Sequence, residues 1–323
     1  MILIHQYTIL MLEGEVNKMA LRQWMVPHEW MTRYTPQTEW IQRRGILVWI
    51  AEVFTSLGAG LYLVSLFYNN FWGMVAAWVI IMFLKVPLHI LYFGKPFRFW
   101  KTVPPFTTAW KTSWFTRGIS FTILFGGIAF IQLIITYFFP GTPWDILLKV
   151  LGGIFAFCVG IYSGFIMSYC RSVPFWNTAL VPLILIVAGI ADGFALIMAV
   201  DLAGAEVNVM AVEAATRVVL IANAIMMIAF VWNAIYSGRA AKYSATLLLR
   251  GSLAVPFWLG VVLCGIIIPL VVSIVSYFTG ESAAAVMIIA IILHTVGAVF
   301  LKYVLLKAGI HNPIIPATTS LYH

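Results

Sequence analysis

Eight apolar stretches, each long enough to cross a bilayer, constrain this chain more than any other feature of its sequence. A helix spans the roughly 30 Å hydrocarbon core with about 20 residues, and such stretches cover residues 46–67, 71–93, 118–139, 147–169, 178–201, 214–236, 253–278 and 282–306. A transmembrane β-barrel would show runs of about 10 residues alternating apolar and polar. Segments such as Val261 to Val275 are apolar on every side instead, so the expected fold is an all-α integral membrane protein of eight transmembrane helices. Composition agrees: 9% of the 323 residues are charged, against about 25% in a soluble domain.

The apolar opening Met1 to Leu12 lacks a basic leader and runs into Glu13 and Glu15, which does not read as a cleavable signal peptide. Residues 1–45 are expected to form a cytoplasmic or interfacial segment, and 307–323 a C-terminal tail. Cys158, Cys170 and Cys264 are scattered without C-x-x-C spacing, so neither an iron–sulfur nor a zinc site is encoded. Any metal centre used for redox chemistry is expected in a partner.

With eight spans both termini share one face, here the near face. Of the 19 basic residues, 16 fall on the near-face side, Lys302 and Lys307 included, while the far face has Lys149 and Arg217 against Asp145, Asp201, Glu206, Glu213 and Glu281. The positive-inside rule places the near face and both termini in the cytoplasm. The net charge of +8 is therefore a topology signal and calls for no nucleic acid. Lys95 to Arg117 is a long connection rich in Trp, Pro and Thr, and long structured loops tend to carry function.

Charges inside spans are costly, about 2.5–3.5 kcal/mol each on the insertion scale, and mark functional positions. Glu52, Lys85 and Asp192 are such residues, and His89 and His294 are titratable groups in spans. At 1.5 Å per residue, Glu52, Lys85, His89 and Tyr162 lie roughly 6–12 Å below the near face, in one layer built from the first, second and fourth spans. Lys85 and His89, four apart, share a helix face. The layer reads as a pocket for a polar headgroup, against the plainer alternative of a Glu–Lys pair with a satisfied histidine. Asp192 lies deeper, about 21 Å from the near face, and with Asn223 and His294 it offers either a proton relay or interhelical hydrogen bonds. The two span histidines lack the convergent spacing of a haem site.

The strings LGAGLYLVS (57–65), HILYFGKPFRFW (89–100), TSWFTRG (112–118) and YSGFIMSYCRSVPFWN (162–177) together resemble the NrfD-type membrane subunits, the family that includes the membrane anchor of polysulfide reductase. The resemblance implies two four-helix bundles, here 46–169 and 170–306, and a quinone (menaquinone or ubiquinone) held without any cofactor in the chain. It further implies a partner with a ferredoxin-like 4Fe–4S cluster, wired to a catalytic subunit that is often a molybdopterin enzyme. The family's quinone-pocket tyrosine falls on Tyr162. Its polar residues of the first helix fall on the apolar positions near Val48 and Ala51, with Glu52 the nearest polar group, so His89 or Lys85 substitutes.

From this follows the expected site: Tyr162, His89, Lys85 and Glu52 hold the quinone, and Glu52 or His89 exchanges protons. Lys95, Arg98, Trp110, Trp114 and Arg171 dock the iron–sulfur partner. In polysulfide reductase the quinone end faces outward, whereas the charge count here turns it to the cytoplasm. Two other classes fit the hydropathy: a secondary transporter or channel, with Pro87 and Pro269 as its helix breaks, and a membrane anchor without quinone.

Overall fold

The computed structural model describes residues 33–94, 108–204, 207–280 and 283–314. The chain divides into one unit, Pro36–Ile310, which holds every span, and a second made of the chain ends Met1–Thr35 and His311–His323. Among the described residues eight helices are long and apolar enough to cross a membrane: α1 (Gly45–Phe67), α2 (Phe71–Tyr92), α3 (Trp114–Phe138), α4 (Pro143–Ser168), α5 (Leu180–Leu202), α6 (Val209–Tyr236), α7 (Pro256–Thr279) and α8 (Ala284–Lys307). Short helices Thr108–Thr112 and Arg239–Leu249 lie in the near-face connections.

Three spans begin four or five residues before their apolar runs, and caps explain each. Ser113, Thr142 and Asn208 accept hydrogen bonds from the backbone N–H groups of Thr116, Asp145 and Ala211, satisfying donors that a helix start leaves open. A hydropathy boundary misses these polar first turns, which contain Arg117, Asp145 and Glu213. Asp145 is fully buried: it accepts from the Gly141 N–H at 2.9 Å and from Thr136, and pairs with Lys149 at 2.9 Å.

Large apolar side chains such as Ile225 (60% exposed), Ile228 (67%) and Ile289 (55%) face outward, the pattern of a surface solvated by lipid. The interior is organised by α5 and α1, whose apolar windows are the most buried, at 67% and 56%. Helix α1 packs on α2, α4, α5 and α8, and α5 on α1, α4, α6 and α8. Further contacts run from α2 to α3, α3 to α4, α6 to α7 and α7 to α8. At the α1–α5 crossing a Cβ on Gly60 would stand 1.6 Å from the Gly189 carbonyl oxygen, and one on Gly193 would stand 2.2 Å from the Gly60 carbonyl oxygen. Only hydrogen fits there, and this close approach lets short side chains on α1 meet α5 deep in the membrane.

Two spans depart from α geometry. In α2, residues Ile80–Lys85 form a π-helix just before Pro87, and in α7 the π-helix Pro256–Ile267 precedes Pro269. Proline withholds the N–H its helix needs, and the wider turn absorbs the mismatch. At the near face Gln37 donates through Nε2 to the Leu306 carbonyl at 2.9 Å, and Trp176 through Nε1 to the Leu305 carbonyl at 2.8 Å.

The glycine contact carries a stability prediction. Gly60→Val should destabilise the protein by about 1–3 kcal/mol through overpacking, measured as a lower unfolding midpoint in detergent. Gly127→Val, whose Cβ meets open space on α3, should leave that midpoint unchanged.

Candidate functional site

The near-face layer converges on a cavity between α2 and α3. Its volume is about 360 Å³, and its lining includes Lys85, His89, Thr122 and Tyr162 at one end and Met82, Ile90, Phe93, Phe115, Ile119 and Ile123 elsewhere. Ile123, 45% exposed on the lipid-facing surface, forms part of its outer edge.

Each polar group is held. Lys85 is 3% exposed and donates from Nζ to Thr122 Oγ1 at 2.5 Å, while the Thr122 hydroxyl donates to the Gly118 carbonyl at 2.9 Å. The same ammonium lies 5.3 Å from the centroid of the Tyr162 ring, a cation–π contact. His89 Nδ1 is 3.2 Å from the Lys85 carbonyl oxygen and its Nε2 is 3.3 Å from the Tyr162 hydroxyl. Because the carbonyl can only accept, Nδ1 is assigned the proton, and the Tyr162 hydroxyl donates to Nε2. Tyr162 reaches this position because Gly118 has no side chain: a Cβ there would be 2.1 Å from the ring. Lys85 uses one of its three N–H donors on Thr122 and keeps two for a ligand. An acidic residue is close by but behind: Glu52 on α1 lies near the Ser163 side chain and within electrostatic reach of Lys85 and Lys302. Glu52 does not line the cavity.

Above the cavity a near-face cleft of about 1010 Å³ is lined by Glu39, Arg43, Arg44, Tyr92 and others, and shares Phe93 and Phe115 with the cavity below. The expected docking residues fall differently. Lys95 and Arg98 lie outside the described residues. Trp110 and Trp114 flank Arg117, whose guanidinium is 5.7 and 4.6 Å from their ring centroids. Trp114 also stacks on Phe165 at 4.4 Å, so these rings are committed to packing. Arg171 is exposed, but Phe175 and Trp176 in the same connection are buried at 1% and 2% exposure.

A second polar cluster lies at mid-membrane. Asp192 (α5) accepts from Ser56 Oγ (α1) at 2.5 Å, pairs with Lys302 Nζ (α8) at 3.2 Å, and meets His294 Nε2 (α8) at 3.0 Å. Lys302 also donates to Ser56 Oγ at 2.7 Å. The structure thus joins Asp192 to His294 but not to Asn223, whose Oδ1 is buried with no hydrogen-bond partner among the described residues. Lys302 is the residue that sequence reasoning misplaces. Counted with the near-face charges, it is 2% exposed and inside α8. Two signals point to the interior: it follows His294 by eight residues, about two turns, and helical side chains lean toward the N-terminus, which for α8 is toward the membrane centre.

The sequence profile of the polysulphide reductase NrfD family matches residues 45–313. The C subunit of the polysulfide reductase of Wolinella succinogenes is 30% identical over 169 residues, 50% of this chain and 53% of that protein. The NrfD homolog of Haemophilus influenzae is 21% identical over 253 residues, covering 70% of this chain and 78% of that protein. The chain spans about half the length of the first of these relatives. With eight membrane-spanning helices and a family match over most of its length, this multi-pass membrane protein belongs to the NrfD polysulphide reductase family.

Proposed function

We propose that the protein is the quinone-binding membrane subunit of an oxidoreductase complex, exchanging electrons between a membrane quinone and an iron–sulfur partner. The observation that carries this reading is the α2–α3 cavity: an apolar chamber of about 360 Å³ with one polar end, edged by lipid-facing Ile123. A flat ring with a carbonyl at each side and an isoprenoid tail fits such a chamber. The ring would face Lys85, His89 and Tyr162, and the tail would leave along the isoleucines. When bound, a quinone supplies the two-electron, two-proton couple.

The residues of the chain then do three things. Lys85 presents its remaining N–H groups to a carbonyl oxygen, and because the ammonium is shielded from water that charge-assisted hydrogen bond is strong. The Tyr162 hydroxyl and His89 form a proton pair in which the phenol can pass its proton to Nε2 or offer it to the ring's edge. Glu52, behind Lys85 and within its electrostatic reach, moves protons toward or away from the lysine. Apolar Met82, Ile90, Phe115 and Ile119 exclude water from the remainder.

The basic near-face cleft with Arg43 and Arg44 suits an acidic partner surface, and Phe93 and Phe115 bring that cleft next to the ring cavity. The partner is proposed to carry a 4Fe–4S cluster and to connect to a catalytic subunit; the Wolinella relative's name, one subunit of a polysulfide reductase, supports a complex of several subunits. The near-face excess of Lys and Arg survives the reassignment of Lys302 and orients the cavity, and with it the partner, to the cytoplasmic side of the cell membrane. Positions 46–169 and 170–306 are proposed as the two four-helix halves.

Two outcomes test the site. In a complex that retains its partner subunits, Lys85→Met and Tyr162→Phe should each lower quinol-dependent kcat/KM roughly ten- to hundredfold, the equivalent of losing a hydrogen bond involving a charged or proton-transferring group; normal turnover in both variants would contradict the reading. Gly118→Ala should raise the KM for quinol by displacing the Tyr162 ring, and the double variant with Tyr162→Phe should show no additional loss, since the two changes act through the same ring.

A further inference from the structure

The cluster at mid-membrane contains residues that do not line the α2–α3 cavity, and its hydrogen bonds fix its proton count. His294 Nδ1 stands 2.8 Å from the Gly265 carbonyl oxygen and Nε2 stands 3.0 Å from Asp192 Oδ1. Both partners are acceptors, whereas a neutral imidazole carries a single N–H. Both bonds are made only if the ring carries two protons or if Asp192 carries one on Oδ1. Either way the pair holds one proton more than a neutral histidine beside a carboxylate. The Gly265 carbonyl has particular need of the ring, since Pro269, four residues on, has no N–H to return to it. Loss of the proton leaves either this carbonyl or the carboxylate facing a lone pair, so the bound proton is tied to the geometry of α7 and α8.

Groups facing the centre come from every helix around it: Ser56 on α1, Asp192 on α5, the Gly265 carbonyl on α7, and His294 and Lys302 on α8. Lys302 Nζ stands 3.2 Å from Asp192 Oδ2, on the carboxylate oxygen that His294 does not meet. On its far side His294 lines a small cavity of about 40 Å³ together with Glu213, Thr216 and Ser273. A water needs roughly 10–15 Å³ by this measure, so the cavity has room for one, and Glu213, Thr216 and Ser273 are polar residues on its lining. Glu213 sits four residues into α6, about 6 Å from the far end of that helix, its carboxylate receiving the Ser276 hydroxyl at 2.9 Å.

We propose that Asp192, His294, Lys302 and Ser56 form a proton-binding site in the middle of the membrane, loaded from the far face through Glu213. A proton arriving on the Glu213 carboxylate passes by water in the cavity to His294 Nδ1 when the ring swings off the Gly265 carbonyl, and the ring then swings back to restore both bonds; release runs through the same steps in reverse. Glu52, within electrostatic reach of both Lys302 and Lys85, lies between this centre and the near-face layer in charge coupling.

The test follows the proton itself in the purified full-length protein in lipid nanodiscs, by infrared difference spectroscopy after a pH jump in light and heavy water. The expected result is a titration step of one proton with imidazole and carboxyl bands. It should be absent in the double variant Asp192→Asn with Lys302→Met, which removes the pair without leaving a lone buried charge. Glu213→Gln leaves the centre intact and should keep the amplitude while slowing exchange on the order of tenfold; an unchanged rate would overturn the far-face route. Lack of the step in the wild type, or its persistence in a folded double variant, would overturn the site. Tyr162→Phe should leave the signal unaltered, so failure of the quinone reading and failure of this one are distinguishable.

Discussion

Below the headgroups no water is available to solvate a polar atom, so every charged side chain in this protein must bring its partner with it. The α1–α5 crossing is where that constraint is met most tightly. Gly60 and Gly193 let the two backbones touch, and that approach puts the Ser56 hydroxyl against Asp192, which in turn holds Lys302 and His294 from α8. Three helices are thereby fixed by one ion pair and its hydrogen bonds. Such a network gives specificity of register more than net stability, because burying the charges offsets much of their attraction. The near-face cavity depends on it indirectly: α1, positioned by α5, sets Glu52 behind Lys85.

The two π segments show how local strain becomes useful space. Each ends shortly before a proline, Pro87 in α2 and Pro269 in α7. In α2 the widened turns lead to Lys85 and, one turn on, His89, both at the cavity's polar end. In α7 the break accompanies a carbonyl that His294 can reach. Proline thus marks both the electron-side and the proton-side features of the proposed function, by the same loss of a backbone donor.

Much of this is legible in the sequence. Eight apolar runs report the number of spans, and a depth count at 1.5 Å per residue groups Lys85, His89 and Tyr162 without knowledge of any contact. Helix starts are misread where a capping residue precedes the apolar run by several positions, as at Ser113, Thr142 and Asn208, because hydropathy does not see caps. Lys302 is misread because a lysine near the end of a span usually reaches for the headgroups, and only its acceptor on α5 reverses that. In the connection after α4, Arg171 is exposed as a docking residue must be, but Trp176, five residues on, spends its N–H on α8 and is buried, which the sequence does not announce. The small cavity joining Glu213 to His294 depends on side chains from four helices, α5 through α8, and no spacing along the sequence announces it.

The central claim is that a quinone ring occupies the α2–α3 cavity. Its most direct measurement is photo-crosslinking of a ring-labelled azidoquinone to the complex in native membranes, followed by peptide mapping. The account predicts label within residues 82–93 and 115–123, competed away by unlabelled quinone and reduced in Lys85→Met. Competable label confined to the apolar groove between α6 and α7, lined by Met227, Trp232, Phe257 and Trp258, would contradict it.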